Sequence, residues 1–292
     1  MVYGAASAGR RVMTASSGPG ISLKQEGISY LVGSRLPCVV VSVMRAGPGL
    51  GNIWPEQGDY KQVVKGGGHG NYITIVVAQN SSHEMCDLTI LSFELADIYR
   101  LPAFVLSDAY VGQMMEPVTY PTKVIRPERK SWAVYGDNQS KANLISSIVM
   151  SCELLEKANI ELQEIYKEIE KTEVRYANHY LEDAQVVIIA YGISARLAYS
   201  AVSLLREEGL KVGLLRPITL MPYPYQKLRD LTNSGVKAFL TFELSNGQML
   251  EDVKLAIEGQ IPVEFYGRMG GVVPPVTEVA QQLKQVYTKY CL

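Results

Sequence analysis

Pro37-Cys38-Val39-Val40-Val41-Ser42-Val43-Met44 is an apolar, mostly β-branched run, and Arg45-Ala46-Gly47-Pro48-Gly49 follows it at once. A run without polar alternation is expected of a strand buried on both faces, as in a parallel sheet covered by helices. Working outward toward the N-terminus, Ser22 to Gly33 reads as a helix, preceded by the turn-rich Ser16-Ser17-Gly18-Pro19-Gly20. Val12 to Ala15 is a short strand candidate, and Val2 to Ala8 resembles the end of a helix. Toward the C-terminus, Arg45 to Gly70 is a long polar, glycine-rich stretch, and Tyr72 to Ala78 is a strand. Ser81 to Arg100 is a helix, with Ser81 or Ser82 as N-cap and Glu84 in its first turn. Pro102 to Ser107 is a further strand. This β-α-β-α-β order predicts a parallel sheet with helices on its faces.

Pro117 to Gln139 has no clear period and reads as an extended connection. Cys152 to Tyr180 carries apolar residues at mainly helical spacing among charges, which predicts one or two amphipathic helices. A second α/β unit then begins. Strands are expected at Ala184–Ala190, Lys211–Arg216, Val236–Phe242 and Pro262–Tyr266. Helices are expected at Ser194–Glu208, Tyr225–Asn233 and Gly247–Glu258, and each stops at a glycine (Gly209, Gly235, Gly259) suited to a left-handed C′ position. The fold class expected is α/β with two doubly wound parallel-sheet domains, spanning residues 1–178 and 179–292. The connecting segment and helices begin near 117. The first half opens on a helix end where a parallel α/β domain normally opens on a strand.

Of 292 residues, 47% are hydrophobic and 20% charged, with a net charge of -1. That composition belongs to globular proteins with a full core, and the near-neutral charge argues against a general nucleic-acid binder. No stretch reaches the ~20 apolar residues of a membrane span. Cys38, Cys86, Cys152 and Cys291 show no C-x-x-C pair, so neither a zinc site nor iron–sulfur ligation in this chain is expected. Cys38 and Cys86 lie in apolar stretches and read as buried thiols, which favours a reducing, cytoplasmic location.

Ser16-Ser17-Gly18-Pro19-Gly20 lies between strand and helix, where N–H groups and hydroxyls can face a ligand; a plain tight turn is the alternative. Arg45 stands just past the C-terminal end of a buried strand, the edge at which open α/β sheets bind ligands. Its planar fork suits a carboxylate, and a solvated or interface arginine is the competing reading. In Lys65-Gly66-Gly67-Gly68-His69-Gly70, glycines permit close approach, and His69 could act as an acid–base group, although most loop histidines are structural. Tyr191-Gly192-Ile193-Ser194-Ala195-Arg196 lacks the second glycine of a nucleophile elbow, so Ser194 reads as a helix N-cap. Gly267-Arg268-Met269-Gly270-Gly271 could contact a partner or a phosphate, or only turn the chain.

MVYGAASAGRRVMTASSGPGISLKQEGISYL, VMRAGPGLGNIWPEQGDYKQVVKGGGHG and GQMMEPV, in this order and spacing, resemble the α-type subunit of 2-oxoacid:ferredoxin oxidoreductases. The later stretches VVIIAYGISARLAYSAVSLLREEGLKVGLLRPITL and PVEFYGRMGGVVP look most like the 2-oxoisovalerate (branched-chain) type. The resemblance implies a thiamine diphosphate (TPP) enzyme that oxidatively decarboxylates a 2-oxoacid to acyl-CoA and passes electrons to ferredoxin. It implies a TPP pyrimidine-binding domain here, followed by a transketolase C-terminal-like domain used more for assembly than for chemistry. TPP with magnesium would be shared with a diphosphate-binding subunit, and iron–sulfur clusters would lie in partner subunits. A γ-type subunit and a ferredoxin-like subunit would complete an assembly forming a dimer of the hetero-oligomer. Coenzyme A and the 2-oxoacid are the small-molecule partners implied, without nucleic acid or membrane.

Carried onto this chain, Arg45 matches the arginine expected to pair with the substrate carboxylate. Ser16, Ser17 and Gly18 match the loop beside the cofactor's pyrimidine, and Gly66 to Gly70, with Gly68, His69 and Gly70 the foremost candidates, would line a subunit interface. In the family, a strand with a Y-P-I-T-P-like segment and a helix carrying the cofactor-activating glutamate precede M-V-Y-G-A-A. Neither is in this sequence, and Glu26, on the next helix, does not match that motif. The expectation is an N-terminally truncated subunit, inactive alone and without turnover even beside its partner subunit. The rival readings are the β-type subunit of an NAD-linked 2-oxoacid dehydrogenase, a transketolase-like enzyme, and a non-catalytic assembly subunit.

Overall fold

Residues 1–122 and 128–292 are described by a computed structural model. Its first half runs α1 (Val2–Ser7), β1 (Met13–Ser16), α2 (Pro19–Ser22), α3 (Gln25–Gly33), β2 (Cys38–Met44), α4 (Tyr60–Val64), β3 (Ile75–Val77), α5 (Ser82–Tyr99) and β4 (Pro102–Asp108). Then follow α6 (Cys152–Thr172), β5 (Tyr176–His179), β6 (Val186–Ile189), α7 (Gly192–Glu207), β7 (Val212–Pro217) and β8 (Thr219–Met221). The chain ends with α8 (Tyr225–Thr232), β9 (Ala238–Glu243), α9 (Gln248–Ile257), β10 (Val263–Gly267) and α10 (Val276–Cys291). The connection expected from Pro117 to Gln139 falls outside the described residues at 123–127.

The strands form two five-stranded sheets, ordered β1-β2-β4-β3-β8 and β10-β9-β6-β7-β5. Each has four parallel strands and one antiparallel edge strand, β8 on β3 and β5 on β7. Both antiparallel strands were missing from the sequence reading. β5 lay within a stretch assigned to helix, and its place in the second sheet means the expected boundary at 178/179 cuts through a strand. β8, from the second half, completes the first sheet.

Burial on both faces explains the unbroken apolar strands. In β6, Val187 and Ile189 face one layer, shared with Val253 and Ala256 of α9. Val186 and Ile188 face the other, with Ala198 and Val202 of α7 and Leu283 of α10. In β2, Cys38, Val40 and Met44 pack toward Ile28 and Leu31 of α3, while Val39 faces Leu88 of α5. Each such side chain contributes roughly 1.5–3 kcal/mol on burial. A one-residue slip would carry every side chain to the opposite layer and disturb the packing of both.

The caps follow local chemistry. Ser81 Oγ accepts the Glu84 N–H at 3.2 Å while Glu84 Oε2 accepts the Asn80 N–H at 3.1 Å, a close variant of a capping box. Gly209, Gly235 and Gly259 all have positive φ, as their positions after helices predict. Ser194 departs from its expected role. The N-cap of α7 is Tyr191, and Ser194 sits fully buried inside the helix. Cys38 is buried as expected, Cys86 only half so, and all four cysteines are free.

Candidate functional site

Parallel register brings the first sheet's loops to one edge. Ser16 stands opposite Ser42, and Met44 opposite Asp108, so the residues that follow them emerge together at the strands' C-terminal ends. There Gly18, Pro19 and Ser22 face Arg45 to Pro48 and Asp59 across a cavity of about 230 Å³. Arg45 Nη1 donates to the carbonyls of Leu50 and of Asn52, the latter at 2.9 Å, which pins the guanidinium to its own loop. Its Nε and Nη2 have no acceptor among the described residues. They face Gly18, where an added Cβ would lie 3.3 Å from Nε. Gly18 has φ +50°, so a side chain there would be strained as well as in the way. Arg45 thus lines the cavity with two donors that have no acceptor among the described residues, and a parallel pair of N–H groups is what a carboxylate takes up.

Of the residues read from sequence, Arg45 and Gly18 line this cavity, whereas Ser16 and Ser17 do not. Gly68, His69 and Gly70 are exposed and do not line it. Their loop has its own packing reason for glycine, since a Cβ on Gly67 would meet Gln25 Cδ at 2.6 Å, and one on Gly68 would meet Gln25 O at 2.6 Å. Arg268 is turned away into an ion pair with Glu278 at 3.1 Å.

What the sequence reading missed is concentrated in Glu56 to Tyr60, inside the supposed polar loop. Gln57, fully buried, inserts into the second sheet where strand order reverses about β6. Its Nε2 donates to Tyr191 O at 2.9 Å, and its Oε1 accepts from Ser194 Oγ and Leu244 N, each at 2.8 Å. Asp108, ending β4, accepts the Ile193 N–H of α7 at 3.0 Å. Burial raises the Asp108 carboxyl, against the N–H groups of Val111, Ile193 and Tyr110. Such a reversal point, with its helix N-terminus, is where open α/β sheets ordinarily bind a ligand. Here the first unit itself occupies it. The N-terminus of α9 is likewise taken, with Glu243 accepting from Met249 and Leu250 at 3.0 Å each.

Glu56, buried, accepts the Gly47 N–H at 2.9 Å on Oε2 and the Gly270 N–H at 2.8 Å on Oε1, joining the two units' loops. Asp59 beside it has its carboxyl raised by burial and by the Glu56 charge, with Arg45 opposing. Tyr60 packs on Tyr191 with ring centroids 5.7 Å apart and donates to Asp252 of α9 at 2.7 Å. The signal that could have found this segment is Asp59 before Tyr60-Lys61-Gln62-Val63-Val64, an N-cap residue type ahead of a short apolar helix.

Residues 1–180 match the family described as pyruvate flavodoxin/ferredoxin oxidoreductase, thiamine diphosphate-binding. Residues 184–279 match pyruvate:ferredoxin oxidoreductase core domain II. The chain is 55% identical to ketoisovalerate oxidoreductase subunit VorB of Methanothermobacter thermautotrophicus over 98% of its own length and 81% of that protein's. It is 32% identical to 2-oxoglutarate synthase subunit KorA of Methanocaldococcus jannaschii, over 92% of this chain and 79% of the relative. In fold it is similar to the 2-oxoglutarate:ferredoxin oxidoreductase from Magnetococcus marinus, with a TM-score of 0.84 at 23% identity, covering 97% of this chain and 54% of that one. Its two sheets, its Arg45 edge and its glycine-rich turns are thus those of a chain that belongs to the pyruvate flavodoxin/ferredoxin oxidoreductase family.

Proposed function

We propose that this chain is the α-type subunit of a TPP-dependent 2-oxoacid:ferredoxin oxidoreductase that converts a branched-chain 2-oxoacid to its acyl-CoA, with electrons passing to ferredoxin. The observation that carries the substrate class is Arg45, which lines the cavity with Nη1 held by two carbonyls and with no acceptor for Nε and Nη2 among the described residues. The branched-chain assignment is supported by the relative at 55% identity, which is named for ketoisovalerate.

The bound TPP would supply the electron sink for loss of carbon dioxide. The chain's own side of that site fits such a group at Gly18, where the absent Cβ keeps the turn open beside the guanidinium. Ser16, Ser17 and Gly18 would lie against the pyrimidine, and Arg45 would hold and orient the 2-oxoacid carboxylate. The diphosphate with its magnesium belongs to a partner subunit in this reading, as do the iron–sulfur clusters. The exposed loop Gly68-His69-Gly70 is available to such a partner. The γ-type and ferredoxin-like subunits, coenzyme A, a dimeric hetero-oligomer and a cytoplasmic location complete the reading. Among the described residues no helix is long and apolar enough to cross a membrane.

The test is Arg45→Ala in the complete complex, its α-type subunit carrying the family's glutamate-bearing helix, assayed by viologen reduction with 2-oxoisovalerate. Two charge-assisted hydrogen bonds are worth roughly 1.5–3 kcal/mol each, and a net loss of about 3 kcal/mol would raise KM about 100-fold. Arg45→Lys, keeping charge but not the fork, should fall between. An unchanged KM would remove Arg45 from the substrate site.

A further inference from the structure

The Arg45 cavity does not end at the first unit. A second chamber of about 370 Å³ shares Arg45, Gly47, Pro48 and Asp59 with it and is closed by Ser245, Asn246, Gln248 and Met269 of the second unit. A domain expected to serve assembly therefore supplies the far wall of the space beyond the guanidinium.

That wall is held in place from both sides of Met269. Arg268 is tied to Glu278 at 3.1 Å, and the Gly270 N–H to buried Glu56 at 2.8 Å. Asn52 Nδ2 donates to Gly270 O at 3.2 Å, and Gly271 lies so close to Trp54 that a Cβ there would come within 2.3 Å of the Trp54 Cβ. The backbone of Met269 is thus anchored while its side chain stays 58% exposed at the chamber. A thioether chain is apolar and adaptable, suited to end a hydrocarbon pocket.

The charges point the same way. Apart from Arg45, the described residues that line the second chamber include no lysine or arginine, and they include the carboxyls of Glu56 and Asp59. A substrate with a second carboxylate would find no second cation among these residues.

We propose that Met269 is a specificity-determining residue: with a 2-oxoacid carboxylate on Arg45, its side chain bounds the chamber that receives the substrate's uncharged carbon chain. This rests on the functional reading above and adds the residue that sets chain length and excludes dicarboxylates.

The experiment compares kcat/KM of the complete complex, its α-type subunit carrying the family's glutamate-bearing helix, for pyruvate, 2-oxoisovalerate, 2-oxoisocaproate and 2-oxoglutarate. Met269→Ala should shift the ratio of 2-oxoisocaproate to pyruvate about 10-fold or more toward the longer acid, the usual scale for a methylene-sized change in an apolar pocket. Met269→Lys should raise the 2-oxoglutarate to 2-oxoisovalerate ratio by a similar factor. Ratios unchanged in both variants, or all four substrates altered equally, would overturn the role of Met269 and leave the family reaction standing. A wild-type complex that oxidises none of the four acids would overturn the functional reading, and this inference with it.

Discussion

Glu84→Gln tests how the two α/β units are held together. Arg216, on β7 of the second sheet, donates from Nη1 and Nη2 to the two oxygens of Glu84 on α5, each at 2.6 Å. The arginine side chain is 7% exposed and the carboxylate 30%. Glutamine keeps an oxygen for the Asn80 N–H, so the variant removes charge and leaves the cap. Removing one partner of a buried pair costs about 3–5 kcal/mol, because the other charge is left uncompensated. Solvent reaches the carboxylate and reduces that to about 2 kcal/mol. For a large domain, about 2–4 °C per kcal/mol gives a Tm lowered by about 4–8 °C, measured by calorimetry at pH 7. The pH dependence supplies a second reading. Burial raises the Glu84 carboxyl, but the hydrogen bonds and charge of Arg216 outweigh it, and the group is held below its ordinary value of 4.5. A depressed carboxyl contributes stability above its unfolded pKa and loses it as pH falls through the folded one. The gap between wild type and Glu84→Gln should therefore close as pH drops below about 4.5. Equal Tm values at pH 7, or a gap that persists in acid, would refute the clamp.

Gln57→Ala leaves the buried Ser194 hydroxyl, Tyr191 carbonyl and Leu244 N–H without their partner. At about 1–3 kcal/mol per orphaned group, partly relieved by relaxation, the expected loss is about 3 kcal/mol, read from denaturant midpoints. Cys38 should resist a thiol reagent at pH 8 in the native chain, since burial pushes its thiol up to about 12. The exposed Cys152 should react at once, and labelling of Cys38 as fast as Cys152 would contradict its burial.

Much of the fold was legible because its signals are short-range. The run Pro37 to Met44 declares a doubly covered strand, and Ser81 with Glu84 declares a helix start. Gly209, Gly235 and Gly259 mark helix ends within a few residues of the chain they terminate. Arg45 was legible for the same reason, since its place just after a buried strand puts it at the C-terminal edge where open α/β sheets bind ligands. What tertiary structure alone decided is partner choice. β8 is three residues long, and nothing in Thr219-Leu220-Met221 says that it crosses to pair with β3 of the other unit. Ser194 looks like a cap until Gln57, 137 residues away, supplies an acceptor for it inside a helix. Met269 looks like a turn residue until Glu56 draws its loop against Arg45. Periodicity and capping are set within a turn or two of chain. The pairing of distant polar groups is set by which of them are left unsatisfied once the apolar layers close, and only the assembled core determines that.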